Sequence, residues 1–135
     1  MHMRETTKSL LVNGAAIIIT TLVLFLAGTW WRMASQFSLG ERALARGDFP
    51  GAVAGYESAL HMYLPFHPSI TRAAERLWQL TESSERQGDI TRALIACRAL
   101  RSSFYAAHWL MTPGQEWIER CDKKIAALVP LQIDR

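Results

Sequence analysis

The residues whose types most readily carry metal or redox chemistry are four histidines and two cysteines, and their spacing argues against most of it. His2, His61, His67 and His108 fall at no interval that sets two imidazoles on one helix face, so they form no zinc-ligand pattern. Cys97 and Cys121 form no C-x-x-C or C-x-x-C-H motif, which removes the thioredoxin-like and haem-attachment readings. Two readings of this pair stay open. The thiols form a disulfide if the domain meets an oxidising compartment, or they serve as two buried small hydrophobic side chains. No nucleophile motif or phosphate loop is present, and the Asp and Glu positions fit helix caps and exposed faces. The chain reads as non-enzymatic, with no metal and no cofactor.

Half of the 135 residues are apolar and the formal net charge is +3. Twelve acidic residues are interleaved with the 15 basic ones, and no basic run of five exists, which argues against nucleic acid as a partner. Arg98, Arg101, Phe104, Tyr105, His108 and Trp109 alternate basic and aromatic types. That mixture can stack on bases or hold an anionic headgroup, but it fits a helix with an aromatic seam and a solvated arginine face better.

The elements that must position these residues begin with an apolar stretch. From Ser9 to Trp31 there is no charged residue. As a helix at ~1.5 Å per residue the stretch reaches ~34 Å, enough to cross a hydrocarbon core ~30 Å thick. Arg4 and Lys8 flank it on one side and Arg32 on the other, and Trp30 and Trp31 sit where an interfacial belt is expected. The stretch is longer than the apolar region of a cleaved signal peptide and lacks a good small-x-small exit, so it reads as a retained single-pass anchor in lipid. Asn13, Thr20 and Ala27 recur every seven residues beside Gly14, Thr21 and Gly28. This makes a stripe of small and weakly polar residues that suits close packing on another membrane helix, or merely an anchor that tolerates them. Basic residues balance across the two flanks. A short N-terminal tail followed by a downstream domain favours a bacterial inner-membrane protein with its C-terminal domain in the periplasm.

Beyond Trp31 the pattern is helical throughout, and no segment alternates with period two, so the fold class is all-α with about five helices in the soluble part. The membrane helix is expected to run directly into the first soluble helix. Gly47-Asp48 and Gly88-Asp89 each pair a glycine suited to end a helix with an aspartate suited to start one. Ser69 is a candidate cap for the helix after the Leu64–Pro68 loop. Thr112-Pro113-Gly114-Gln115 reads as a capping box, and Pro130 as the end of the last helix. The organisation is a tail (1–8), a membrane helix (9–31), two helical hairpins (32–111), a capping helix (112–129) and a tail (130–135).

The two Gly-Asp pairs lie 41 residues apart, and Leu39/Leu80, Ala52/Ala93 and Tyr56/Cys97 follow at the same offset. Leu39-Gly40, Gly47-Asp48-Phe49, Ala52, Tyr56 and Ala59-Leu60 resemble a tetratricopeptide repeat. Leu80, Gly88-Asp89-Ile90, Ala93, Cys97 and Ala99-Leu100 resemble a degenerate second copy. The departures are a longer spacing than the family's, Thr81 in place of the small glycine, and only two copies. The resemblance implies a groove that binds an extended or helical protein segment. It would be lined by Phe37, Glu41 and Leu44 in the first copy and by Glu75, Trp78, Glu82 and Glu85 in the second. Tryptophan amid carboxylates suits a basic or amphipathic segment, while the same pattern also fits a solvated helix face with one tryptophan packed sideways. The function expected is that of a membrane-anchored interaction module, an accessory or scaffolding subunit whose partners are other protein subunits, among them an integral membrane protein. The alternative is a homo-oligomer that packs its own membrane helices and stack ends.

Overall fold

The first helix does not stop where the apolar stretch stops. In the computed structural model, which describes residues 2–62, 67–107 and 114–133, α1 (His2–Ala45) is one helix of 44 residues, ~66 Å long. Its N-terminal part is long and apolar enough to span a membrane. The large apolar side chains from Leu10 to Phe25 are exposed, Phe25 to 69 %, and no described part of the chain covers them. The change comes at Met33, which is fully buried, and from there α1 forms the first wall of a helical stack.

Four further helices complete the described fold: α2 (Phe49–His61), α3 (Pro68–Arg86), α4 (Ile90–Ala106) and α5 (Gln115–Ile133); there is no strand among the described residues. Each helix packs on the next, α1 also touches α3, and α2 touches α4. The cross-helix pairs Phe37–Arg72, Glu41–Arg76, Trp78–Trp117 and Glu85–Lys124 keep nearly constant spacing along the chain, so α1, α3 and α5 run in the same direction side by side. The returning helices α2 and α4 form the second row.

Two turns fold alike at the 41-residue offset. Gly47 and Gly88 take φ of 75° and 77°, a left-handed conformation that favours glycine after a helix. The amides of Asp48 and Asp89 bond back to the carbonyls of Ala43 and Ser84. The Asp48 and Asp89 carboxylates then accept from the amides of Gly51 and Arg92, capping α2 and α4 as the sequence predicts. The helices close on apolar seams, with Ala52, Tyr56, Ala59, Leu77, Ala93, Leu94, Cys97 and Leu100 essentially sealed from solvent.

Two expected boundaries differ. The cap of α3 is His67 and not Ser69: its Nδ1 accepts the Ser69 amide at 3.0 Å. Pro68 occupies the first helical position, where a missing amide hydrogen costs nothing, and this moves the cap one residue upstream of the proline. Helix α5 continues through Pro130 to Ile133. A proline so near a helix end removes a single backbone bond, and the residues after it keep their own donors. Of the capping box, Thr112 and Pro113 lie outside the described residues. Gln115 begins α5 and donates to Glu119.

Helices α1 and α2 meet at two glycines. A methyl group on Gly55 would lie 2.5 Å from the Gly40 nitrogen and 2.6 Å from its Cα. We expect Gly55→Ala to destabilise the stack by about 1–3 kcal/mol through overpacking. Gly14→Ala, with nothing within 4 Å, changes stability by less than about 1 kcal/mol. Denaturant unfolding of the full chain in detergent, followed by tryptophan fluorescence, measures both.

Candidate protein-interaction surfaces

The first candidate surface is the small-residue stripe on the apolar part of α1. Asn13, Thr20, Thr21, Ala27 and Gly28 are exposed and Gly14 half-exposed, with nothing within 4 Å of a methyl placed on either glycine. At ~100° per residue the six positions span an arc of about 140°. The residues by which α1 meets the stack, Met33, Phe37 and Gly40, centre on the opposite side of the helix, about 180° away. The stripe therefore faces away from the rest of the chain.

The junction between the two parts of α1 is braced. The Trp30 and His67 rings lie 4.1 Å apart, and His67 Nε2 is 3.1 Å from the Trp30 carbonyl oxygen. Because Nδ1 accepts from Ser69, the ring proton belongs on Nε2, which donates to that carbonyl. His67, which the sequence reads as a simple loop residue, thus ties the start of α3 to α1 and is itself buried.

The second candidate surface is the row formed by α1, α3 and α5. Its expected residues divide in the structure. Phe37 is 5 % exposed, packed against Tyr56 and roofed by the Arg72 guanidinium, so it supports the face from beneath. Glu41 is half-buried and serves the interior, accepting from the Tyr56 hydroxyl at 2.9 Å and from Arg76 Nε at 2.7 Å. Leu44 is half-buried against the core. Glu75 and Glu82 are exposed. Trp78 is half-buried, and its Nε1 donates to Glu82 at 2.9 Å. Glu85 pairs with Lys124 at 2.8 Å.

The sequence reading missed what α5 adds. Trp117 lies 6.3 Å from Trp78, Lys124 stands over the Trp78 ring and Arg120 over the Trp117 ring. The face is therefore a tryptophan pair framed by both charge signs, less acidic than Glu75, Glu82 and Glu85 alone would make it. Trp117, Arg120 and Lys124 follow helical spacing, which puts them on one side of α5. Which neighbour that side meets is set only by the packing of α5.

The basic and aromatic group on α4 is mostly engaged within the chain. Phe104 is buried, and Arg101 pairs with Asp122 of α5 and lies over Tyr105. His108 and Trp109 lie outside the described residues. Among the described residues no three metal-ligand side chains converge. Cys97 and Cys121 are both fully buried and unlinked, and they adjoin across α4 and α5. The Cys97 thiol donates to the Cys121 carbonyl at 3.7 Å. The hydrogen bond Cys121 gives to Cys97, and then burial, push the Cys121 thiol up, while the same bond holds Cys97 below its ordinary value.

No protein-family model, curated protein or solved structure matches this chain.

Tyr56 gives a test of the packing beneath the second surface. Burial first, then the hydrogen bond to Glu41, raises its phenol well above 10.0. The folded state holds this proton more tightly than the unfolded one. Its contribution to stability is therefore complete below pH 10.0 and is lost as pH rises beyond it. We expect stability to fall above about pH 10 less steeply in Tyr56→Phe, which also loses about 1 kcal/mol at neutral pH with the Glu41 bond. Denaturant midpoints from pH 8 upward compare the two proteins.

Proposed function

We propose that this chain is a non-enzymatic, single-pass protein of a bacterial inner membrane, with its helical stack on the periplasmic side, acting as an accessory or scaffolding subunit of a larger membrane complex. The observation that carries this reading is the single helix α1, apolar and uncovered along one part and built into the stack along the other. Such a helix links whatever packs in the membrane to whatever docks on the stack, with no flexible joint between them. The stripe of Asn13, Gly14, Thr20, Thr21, Ala27 and Gly28 lets another membrane helix approach on the side away from the stack. The recurrence of the Gly-Asp turn at 41 residues supports the likeness to tetratricopeptide hairpins, and with it a protein segment as the ligand of the α3–α5 face. Two modest surfaces on one chain reinforce each other through effective concentration.

The test is the subunit composition and mass of the particle extracted from native membranes in mild detergent. One or more other integral membrane proteins in stoichiometric amount are expected. A particle built only from this chain would replace the reading with the homo-oligomer. The double substitution Gly14→Ile with Gly28→Ile is expected to release the membrane partner and leave helicity and unfolding of the stack unchanged, since a methyl on either glycine meets no described atom within 4 Å beyond the adjacent helix backbone. Retention of the partner at matched expression would reduce the stripe to an anchor surface.

A further inference from the structure

Helix α5, the last of the described helices, packs on α4. Its outer residues Glu116, Glu119, Lys123, Ala126 and Ala127 are exposed. What holds it is a seam of Ile118, Cys121 and Leu128, with side-chain contacts from Trp117 and Lys124 to α3. At the middle of that seam the fully buried Cys121 meets the fully buried Cys97 of α4. Further along the same interface stand the Arg101–Asp122 ion pair and Phe104 against Gly114. The Cys97 thiol donates to the Cys121 carbonyl at 3.7 Å, which places the two residues side by side across α4 and α5. Two small hydrophobic side chains would fill this space equally well. Two buried cysteines on facing helices, one within 3.7 Å of the other's backbone, are also placed to be joined.

We propose that Cys97 and Cys121 are a redox pair that forms one reversible intramolecular disulfide, stapling α5 to α4. The oxidant is an external disulfide, either a low-molecular-weight one or that of a thiol–disulfide oxidoreductase. The Cys97 thiolate attacks one sulfur of the external disulfide, forming a mixed disulfide and releasing one thiol. The Cys121 sulfur then attacks the Cys97 sulfur, closes the intramolecular bond and releases the second thiol. Two cysteine thiols lose two electrons and two protons, and the external disulfide is reduced to two thiols. Both sulfurs are sealed from solvent, so exchange proceeds when α5 swings off the stack, and its rate follows that local opening. Once closed, the bond fixes the helix that supplies Trp117, Arg120 and Lys124 to the α3–α5 face. The inference concerns the chain alone and holds whichever partner that face binds.

The full chain in detergent, fully reduced, is incubated with glutathione disulfide just below its melting temperature so that α5 opens repeatedly. It is then quenched in acid, denatured and alkylated. Expected are the loss of both thiols, a chain mass lower by two hydrogens, a cross-linked peptide containing Cys97 and Cys121, and a monomer on a non-reducing gel. The linked form should melt at least about 5 °C above the reduced one, because the bond closes a loop of the unfolded chain. Cys97→Ala and Cys121→Ala should each instead retain one glutathione. Two alkylatable thiols after incubation, stable glutathione adducts on the unsubstituted chain, an interchain dimer, or a linked form that melts no higher than the reduced one would each overturn the proposal.

Discussion

The stack is organised by a close approach of two backbones. Where α1 crosses α2, neither Gly40 nor Gly55 has room for a side chain. That closeness brings the Tyr56 ring onto Gly40 and carries its hydroxyl to Glu41, the next residue of α1. Glu41 then accepts Arg76 of α3 on the same carboxylate oxygen. Three helices are thereby fastened at one acidic side chain, inside a core whose alanines allow close helix spacing throughout. Forty-one residues after Gly40 and Tyr56 stand Thr81 and Cys97, both fully buried. A smaller residue on α4 removes the need for a glycine on α3, so the second hairpin is built with a different division of the same volume.

The long helix α1 converts this local packing into a statement about the whole chain. Because it runs unbroken from the apolar segment into the stack, the small-residue stripe and the stack stand at a fixed angle about one axis. The Trp30–His67 contact adds a second attachment at the junction. His67 uses both ring nitrogens there, one to cap α3 and one to hold α1, which requires the neutral ring with its proton on Nε2. A flexible linker would have left the two surfaces independent, whereas here the position of one determines that of the other.

The α3–α5 face combines apolar area with both charge signs. Its tryptophans supply apolar area at low cost in side-chain freedom, and the ion pair Glu85–Lys124 is partly shielded. The α4–α5 seam fixes this geometry, so the stability of α5 and the integrity of the face are one property.

Periodicity and composition determined the membrane-spanning capacity of the first helix, the all-α class and the two Gly-Asp turns. These follow from local rules: a run of uncharged residues, a 3.6-residue period, and glycine and aspartate at helix ends. Only the tertiary structure decided that Phe37 is interior, that Glu41 is a hub, that His67 and not Ser69 caps α3, that α5 passes through Pro130, and that Cys97 and Cys121 meet. A helical pattern tells which side of a helix is buried but not which neighbour covers it or at what height. Those answers depend on how closely two backbones can approach, and here that distance was set by Gly40 and Gly55, far in sequence from most of the side chains they position.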